Sequence, residues 1–277
     1  MEFVTIGNPN NVADTTGAPN PVGSVGYTYN LAKYEVSRDQ IDKANAAGSL
    51  GITMVDMGSH GGNGVNKPAT GITYYEAATY VNWLNTSTGG TAAYKFSGST
   101  FQLWSAGDAG YNANNMFRNS LAKYVIASSN EWYKGAYGKA DGSWSNFPNG
   151  TDSAPTAVAG GTDANTAVYG QAGLADINNA GGLSAYGTMG QGGNVWEWNE
   201  TAYDGSNNTA GEERELRGGA WDDGAATLDA STRYRINPAD GNFYSFGFRV
   251  ASVPEPSALS LLAIGLSGLA MIRRRKK

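Results

Sequence analysis

The sequence predicts an irregular, loop-rich α+β fold. Three observations carry this. Glycine makes up 39 of 277 residues, about twice its ordinary share. Aromatic residues reach 11% while charged residues stay at 16%, which describes an aromatic core rather than a helical bundle. Three Ser/Thr-x-x-Glu/Gln capping boxes stand before short runs of helical period, separated by stretches with none. No internal repeat and no composition break precede Val253. One domain is therefore expected over 1–252, followed by a distinct segment over 253–277.

The elements follow in order. Phe3 to Gly7 reads as a strand, and Asn8 to Gly26 as a turn-rich loop of Asn, Pro and Gly. Tyr27 to Val36 alternates as a second strand. Ser37-x-x-Gln40 opens a helix from about Arg38 to Ala47, which Gly48 ends. Thr73-x-x-Glu76 opens another to about Asn85, with Ala77, Tyr80, Val81 and Leu84 at helical spacing. Ser128-x-x-Glu131 opens a third, to Tyr137. Gly138 to Gly193 has little periodicity and reads as long loops with short strands, a length unusual in a compact domain. Arg214 to Trp221 and Phe246 to Ser252 close the domain as short strands.

The stretch Gly192-Gly193-Asn194-Val195-Trp196-Glu197-Trp198 draws most attention. Alternation places Val195 and Glu197 on one side of an extended segment and Trp196 and Trp198 on the other. Two readings stand. Glu197 beside glycine-turned backbone suits a calcium-type oxygen site. It also suits a structural glutamate paired with an arginine under an aromatic core, the reading the residue types favour.

Composition excludes several functions. Of 19 basic and 24 acidic residues, five and one fall after Val253, which leaves a body of 14 and 23 and a net charge of −9. Such a body repels phosphate backbones, so no nucleic-acid partner is expected. With no cysteine, thiol catalysis and thiolate metal sites are absent from this sequence. One histidine, His60, cannot build a multi-histidine iron, copper or zinc centre. In its glycine loop it reads as exposed and inert.

The C-terminus reads as a sorting device. Residues 257–272 are uncharged and mostly apolar. As a helix they would rise ~24 Å, short of a ~30 Å hydrocarbon core by a margin that snorkelling arginines can cover. The basic tail 273–277, with Arg273, Arg274 and Arg275, should stay cytoplasmic and leave the body outside. Just before the span stand Pro254, Glu255 and Pro256. Together the three parts resemble the PEP-CTERM sorting signal of Gram-negative bacteria. The resemblance implies recognition by an exosortase, a membrane cysteine transpeptidase, with cleavage near Pro-Glu-Pro. It also implies an initial anchor in the cytoplasmic membrane and a setting of exopolysaccharide or biofilm. Export needs an N-terminal leader, and Met1 to Val4 does not read as one; since residues 3–7 already read as the first strand, the true start is expected upstream.

The body resembles the sulfatase-modifying-factor family, which includes formylglycine-generating enzyme. Lys33-Tyr34-Glu35-Val36-Ser37, Pro68-Ala69-x-x-Ile72-Thr73-Tyr74-Tyr75-Glu76 with Trp83-Leu84, and Ala127-Ser128-x-x-Glu131-Trp132 match its landmarks in order. Gly193 to Trp198 is the most specific, and Arg217 to Trp221, Arg233-Tyr234-Arg235 and Gly247-Phe248-Arg249-Val250 complete the set. The fold implied is the irregular α+β one related to C-type lectins. The implied chemistry does not carry over. The enzyme's two cysteine positions fall near Asp223 and Ser231, so copper-dependent oxidation is not expected, nor is the histidine-bound iron of other relatives. One family calcium site carries over onto Gly193 O, Val195 O and the Glu197 side chain, with Gly190 where a further ligand would stand. Asn165, within Asp163-Ala164-Asn165, suggests a second.

A ligand pocket is expected around Trp221, Asp222, Asp223, Ser231, Tyr234 and Arg235. Trp104 and Trp144, like Trp221, are candidates to stack on sugar rings. Against this, Asp222 and Asp223 read as solvated loop acids, and Arg233 and Arg235 as partners of interior acids such as Glu131 or Glu197. The function expected is non-catalytic binding or structural work in extracellular polysaccharide. The alternative is an enzyme of new chemistry, with Asp222, Asp223 or Glu197 as acid and base.

Overall fold

Two four-stranded sheets, two two-stranded ones, three short α-helices, a 3-10 turn and long glycine-rich connections make up the structure, a computed structural model that describes residues 1–241 and 243–253. In chain order the elements are β1 (Phe3–Ile6), β2 (Tyr29–Ala32), α1 (Arg38–Gly48), α2 (Tyr74–Thr86), β3 (Lys95–Ser97), β4 (Thr100–Gln102), β5 (Tyr124–Ile126) and α3 (Ser129–Tyr137). Then follow β6 (Thr156–Ala157), β7 (Thr166–Ala167), β8 (Trp196–Ala202), β9 (Arg214–Arg217), β10 (Tyr234–Ile236), β11 (Phe246–Phe248) and β12 (Val250–Ser252).

All three capping boxes form. Ser37, Thr73 and Ser128 each accept from the backbone three residues on, and Gln40, Glu76 and Glu131 reach back to the cap. Each cap contributes roughly 0.5–2 kcal/mol. Helix α2 turns Tyr74, Ala77, Ala78 and Val81 inward, at the spacing of one helical face. Helix α3 is buried except at Asn130, so Trp132, Tyr133 and Tyr137 pack into the core.

The first sheet runs β1-β2-β12-β5 and is antiparallel; the second runs β10-β9-β8-β11, with β11 parallel to β8. Strands β11 and β12 are separated only by Arg249. The run Phe246–Ser252 therefore edges one sheet and then enters the interior of the other, which puts Arg249 where the sheets meet. Glycine makes the approach to β8 possible. Gly193 has φ +79°, and a Cβ there would lie 2.2 Å from the carbonyl oxygen of Val168.

The expected strand over Tyr27–Val36 shortens to Tyr29–Ala32, and the loop region Gly138–Gly193 contains only the two-residue pair β6–β7 and isolated bridges. Strands β3, β4, β5 and β10 have three residues each, too few for alternation to mark them in sequence. Among the described residues, no helix is long and apolar enough to cross a membrane. The expected span 257–272, the Pro254-Glu255-Pro256 signature and Arg273, Arg274 and Arg275 lie outside the described residues.

Candidate ligand-binding site

Strand β8 divides the site in two. Its alternation sends Glu197 to one side and Trp196 and Trp198 to the other. On the Glu197 side, Arg249 donates from Nε and Nη2 to the two carboxylate oxygens, both at 2.6 Å, and Trp132 Nε1 donates at 2.6 Å. Arg249 also donates to the carbonyls of Ala32, Lys33 and Met189, so all five of its N–H groups are used. Glu197, Arg249 and Trp132 are fully buried.

Glu35 lies against this pair. Its carboxylate takes the space that a side chain at Gly190 would fill, since a Cβ there would meet it at 2.8 Å. Asn194 Nδ2 donates to both its oxygens, at 3.0 and 3.2 Å. Burial pushes the Glu35 carboxyl well above the usual range, and the charge of Glu197 adds to the effect, while Arg249 and Asn194 oppose it.

These residues do not fit a calcium ion. The carboxylate among Gly193, Val195 and Glu197 already meets a guanidinium charge and an indole N–H. Asn165 is exposed beside β7, with its amide oxygen 3.5 Å from Asn149 Nδ2, in a separate surface turn. The structural-glutamate reading describes this side, with Arg249 as the arginine. Of the expected partners, Arg233 instead meets Glu215 at 2.9 Å, and Glu131 is held by Arg118 at 2.8 and 2.9 Å. Burial alone would raise the Glu131 carboxyl, but Arg118, Tyr27 and the Ser128 amide bring it down to about 2.

The Trp196 side is different. Trp196 Nε1 donates to Asp223 Oδ2 at 2.8 Å, and the Ala220 amide donates to the same oxygen at 2.9 Å. The Trp196 ring lies 6.1 Å from Tyr234. Trp221 is tied to the approach to β8 by its amide, which donates to the Asn194 carbonyl. Its ring faces His60 at 5.0 Å, and His60 faces Tyr244 at 5.0 Å. The Trp196 amide donates to the Ser245 carbonyl, which brings Tyr244 beside the same strand. Phe243 stacks on Phe246 at 4.5 Å. Tyr234, Phe243 and Tyr244 are 55, 41 and 50% exposed, over Trp196 and Trp221 at 9 and 6%. Among the described residues, Trp221 Nε1 is buried without a hydrogen-bond partner.

Of the expected pocket residues, Trp221, Asp223 and Tyr234 converge here, and Asp222 is exposed beside them. Arg235 does not join them. Alternation along β10 turns it away from Tyr234, toward the Tyr203 ring and an exposed pair with Glu213 at 3.3 Å. Ser231 Oγ donates to Asp229 Oδ1 at 2.5 Å in a local turn. Trp104 donates to the Ala93 carbonyl, and Trp144 packs on Tyr133 at 5.4 Å. Glu197 and Asp223 lie on opposite sides of β8 and cannot act as an acid–base pair. His60 is half-buried between two aromatic rings rather than free in its loop. The residues missed from sequence, His60, Phe243 and Tyr244, are brought together by long-range folding; Phe243-Tyr244 in a polar loop was the one signal available.

A concavity of about 560 Å³ lies between α2 and the β3–β4 hairpin and is lined by Leu50, Tyr75, Glu76, Thr79, Phe96 and Ser99. Its acid, Glu76, already accepts from the Thr73 cap and from Thr53. The aromatic face has an acid, Asp223, with one oxygen that no donor reaches among the described residues, and is the stronger site.

The loop-rich fold, the β8 tryptophans and the buried Glu197–Arg249 pair place the protein among formylglycine-generating-enzyme-like domains. The chain belongs to the sulfatase-modifying factor enzyme 1-like family, matched over residues 4–253. Residues 252–276 match the PEP-CTERM protein-sorting motif, which marks the chain for export and envelope association and implies processing by an exosortase. Solved structures share the fold. Treponema denticola variable protein 1 is 18% identical, with 91% of this chain and 95% of that chain covered and a TM-score of 0.61. CarF is 18% identical, with 91% and 98% covered and a TM-score of 0.65. PvdO from Pseudomonas aeruginosa is 16% identical, with 91% and 92% covered and a TM-score of 0.51. At these identities the likeness is one of fold alone. No curated protein matches the chain.

Proposed function

We propose that this exported protein is a non-catalytic binding module that holds extracellular polysaccharide on its aromatic face. One observation carries the reading: Tyr234, Phe243 and Tyr244 are exposed together over Trp196, Trp221 and His60, with Asp223 among them. Aromatic rings offer apolar faces to the C–H faces of sugars, and a carboxylate accepts from sugar hydroxyls. The sequence, having no cysteine, lacks the thiols of formylglycine generation. The remaining acids do not assemble acid–base chemistry, because Glu197 is held by Arg249 and Asp222 is exposed. Before exosortase processing, the span 257–272 would hold the chain in the cytoplasmic membrane with the domain outside. The relation to C-type lectins that the family resemblance implies would agree with a binding role.

The test is sedimentation of the purified protein with extracellular polysaccharide from the producing cells, alongside a glycan array. Retention by the polysaccharide supports the reading. No binding to either sinks it.

A further inference from the structure

We infer that the aromatic face selects positively charged sugars, so that its ligand is a polymer of unacetylated amino sugar, such as a glucosamine chain; this rests on the polysaccharide reading above. The charged and titratable groups of the face are Asp222, Asp223, His60, Tyr234 and Tyr244. The two nearby arginines are already matched and lie on the other side of β10, Arg233 with Glu215 and Arg235 with Glu213.

Asp223 is the central group. Its Oδ2 accepts from Trp196 and Ala220, and among the described residues no protein donor reaches Oδ1. It is half-buried beside two tryptophans, and burial disfavours its charge. Of the neighbours acting on it, Asp222 repels it and only neutral N–H groups support it. A ligand ammonium at Oδ1 would supply the missing counter-charge in a charge-assisted hydrogen bond. The exposed rings of Tyr234, beside Trp196, and Tyr244, beside His60, would attract ammonium groups along the same polymer through their ring quadrupoles. A neutral sugar gains only the stacking. An acidic polysaccharide meets a body of net charge −9 and is repelled.

Isothermal titration of the full chain with glucosamine hexamer, N-acetylglucosamine hexamer and an oligouronate of equal length tests this, with the amines protonated. Glucosamine should bind at least tenfold more tightly than its acetylated form, with oligouronate weakest and the preference shrinking as salt rises. Asp223→Asn keeps an oxygen for Trp196 and Ala220 but should remove the preference. Asp222→Asn, at an exposed position whose side chain makes no hydrogen bond among the described residues, should reduce it. Equal binding of both hexamers, or an unchanged preference in both variants, overturns the inference. If the matrix polysaccharide binds through Tyr234 and Tyr244 whatever its acetylation, the polysaccharide reading stands and this one falls. If no sugar and no matrix binds, both fall.

Discussion

Glu197 and Arg249 face each other where the two sheets meet, joined by two 2.6 Å hydrogen bonds with neither side chain exposed. Arg249 also holds the carbonyls of Ala32, Lys33 and Met189, so the pair fastens three separate segments. Removing one partner leaves a buried charge uncompensated. Arg249→Met and Glu197→Gln should each lose about 3–5 kcal/mol in urea unfolding. A loss below ~1 kcal/mol in either variant would contradict the role given to the pair.

Glu35 gives stability the opposite dependence on pH from Glu131. The Glu35 carboxyl is raised in the folded state, so its contribution is full below the unfolded value near 4.5 and is lost as pH rises above it. Glu131 is lowered to about 2, so its contribution is present above 4.5 and is lost as pH falls toward 2. Glu35→Gln should leave the melting temperature unchanged or higher at neutral pH and flatten its decline on the alkaline side. Glu131→Gln should lower it at neutral pH. Matched thermal melts from pH 3 to 8 check both, and a lower neutral melting temperature for Glu35→Gln would be the wrong outcome.

Helix starts should respond locally. Ser37→Ala and Thr73→Ala should each cost about 1 kcal/mol. Ser128→Ala should cost at least as much, because its box partner Glu131 also holds Arg118 and Tyr27. Chemical denaturation of the three variants measures the order, and it fails if Ser128→Ala is the mildest.

Processing should stop at the edge of the fold. Strand β12 lies between β2 and β5, and the Val253 amide still donates to the Lys123 carbonyl. An exosortase cut near Pro254–Pro256 leaves these bonds intact, whereas a cut upstream would remove an interior strand. Mass spectrometry of the released protein should find a C-terminus no earlier than Val253. Chains truncated after Arg249 should fail to fold, and those truncated after Val253 should fold. A folded product ending before Val250 would contradict this.

Much of the frame was legible in sequence because it is local. Capping boxes lie within four residues, and the alternation that separates Glu197 from Trp196 needs only the β8 stretch. The pairing of charges was not legible. Arg249 stands 52 residues after Glu197, and Arg233 and Arg235 were the partners the sequence offered until the β11–β12 crossing set the geometry. Arg235 was misplaced because a three-residue strand gives too little pattern to fix which way each side chain turns. His60 was unreadable for the same physical reason: its neighbours Trp221 and Tyr244 are contributed by segments more than 150 residues away.

Hydrogen exchange with matrix polysaccharide present tests the binding face most directly. Protection should appear in the backbone around Ala220–Asp223, Tyr234 and Phe243–Ser245, and Tyr234→Ala combined with Tyr244→Ala should remove it. Protection confined to the cleft between α2 and the β3–β4 hairpin, or no protection when the polysaccharide is bound, would contradict the assignment of this face.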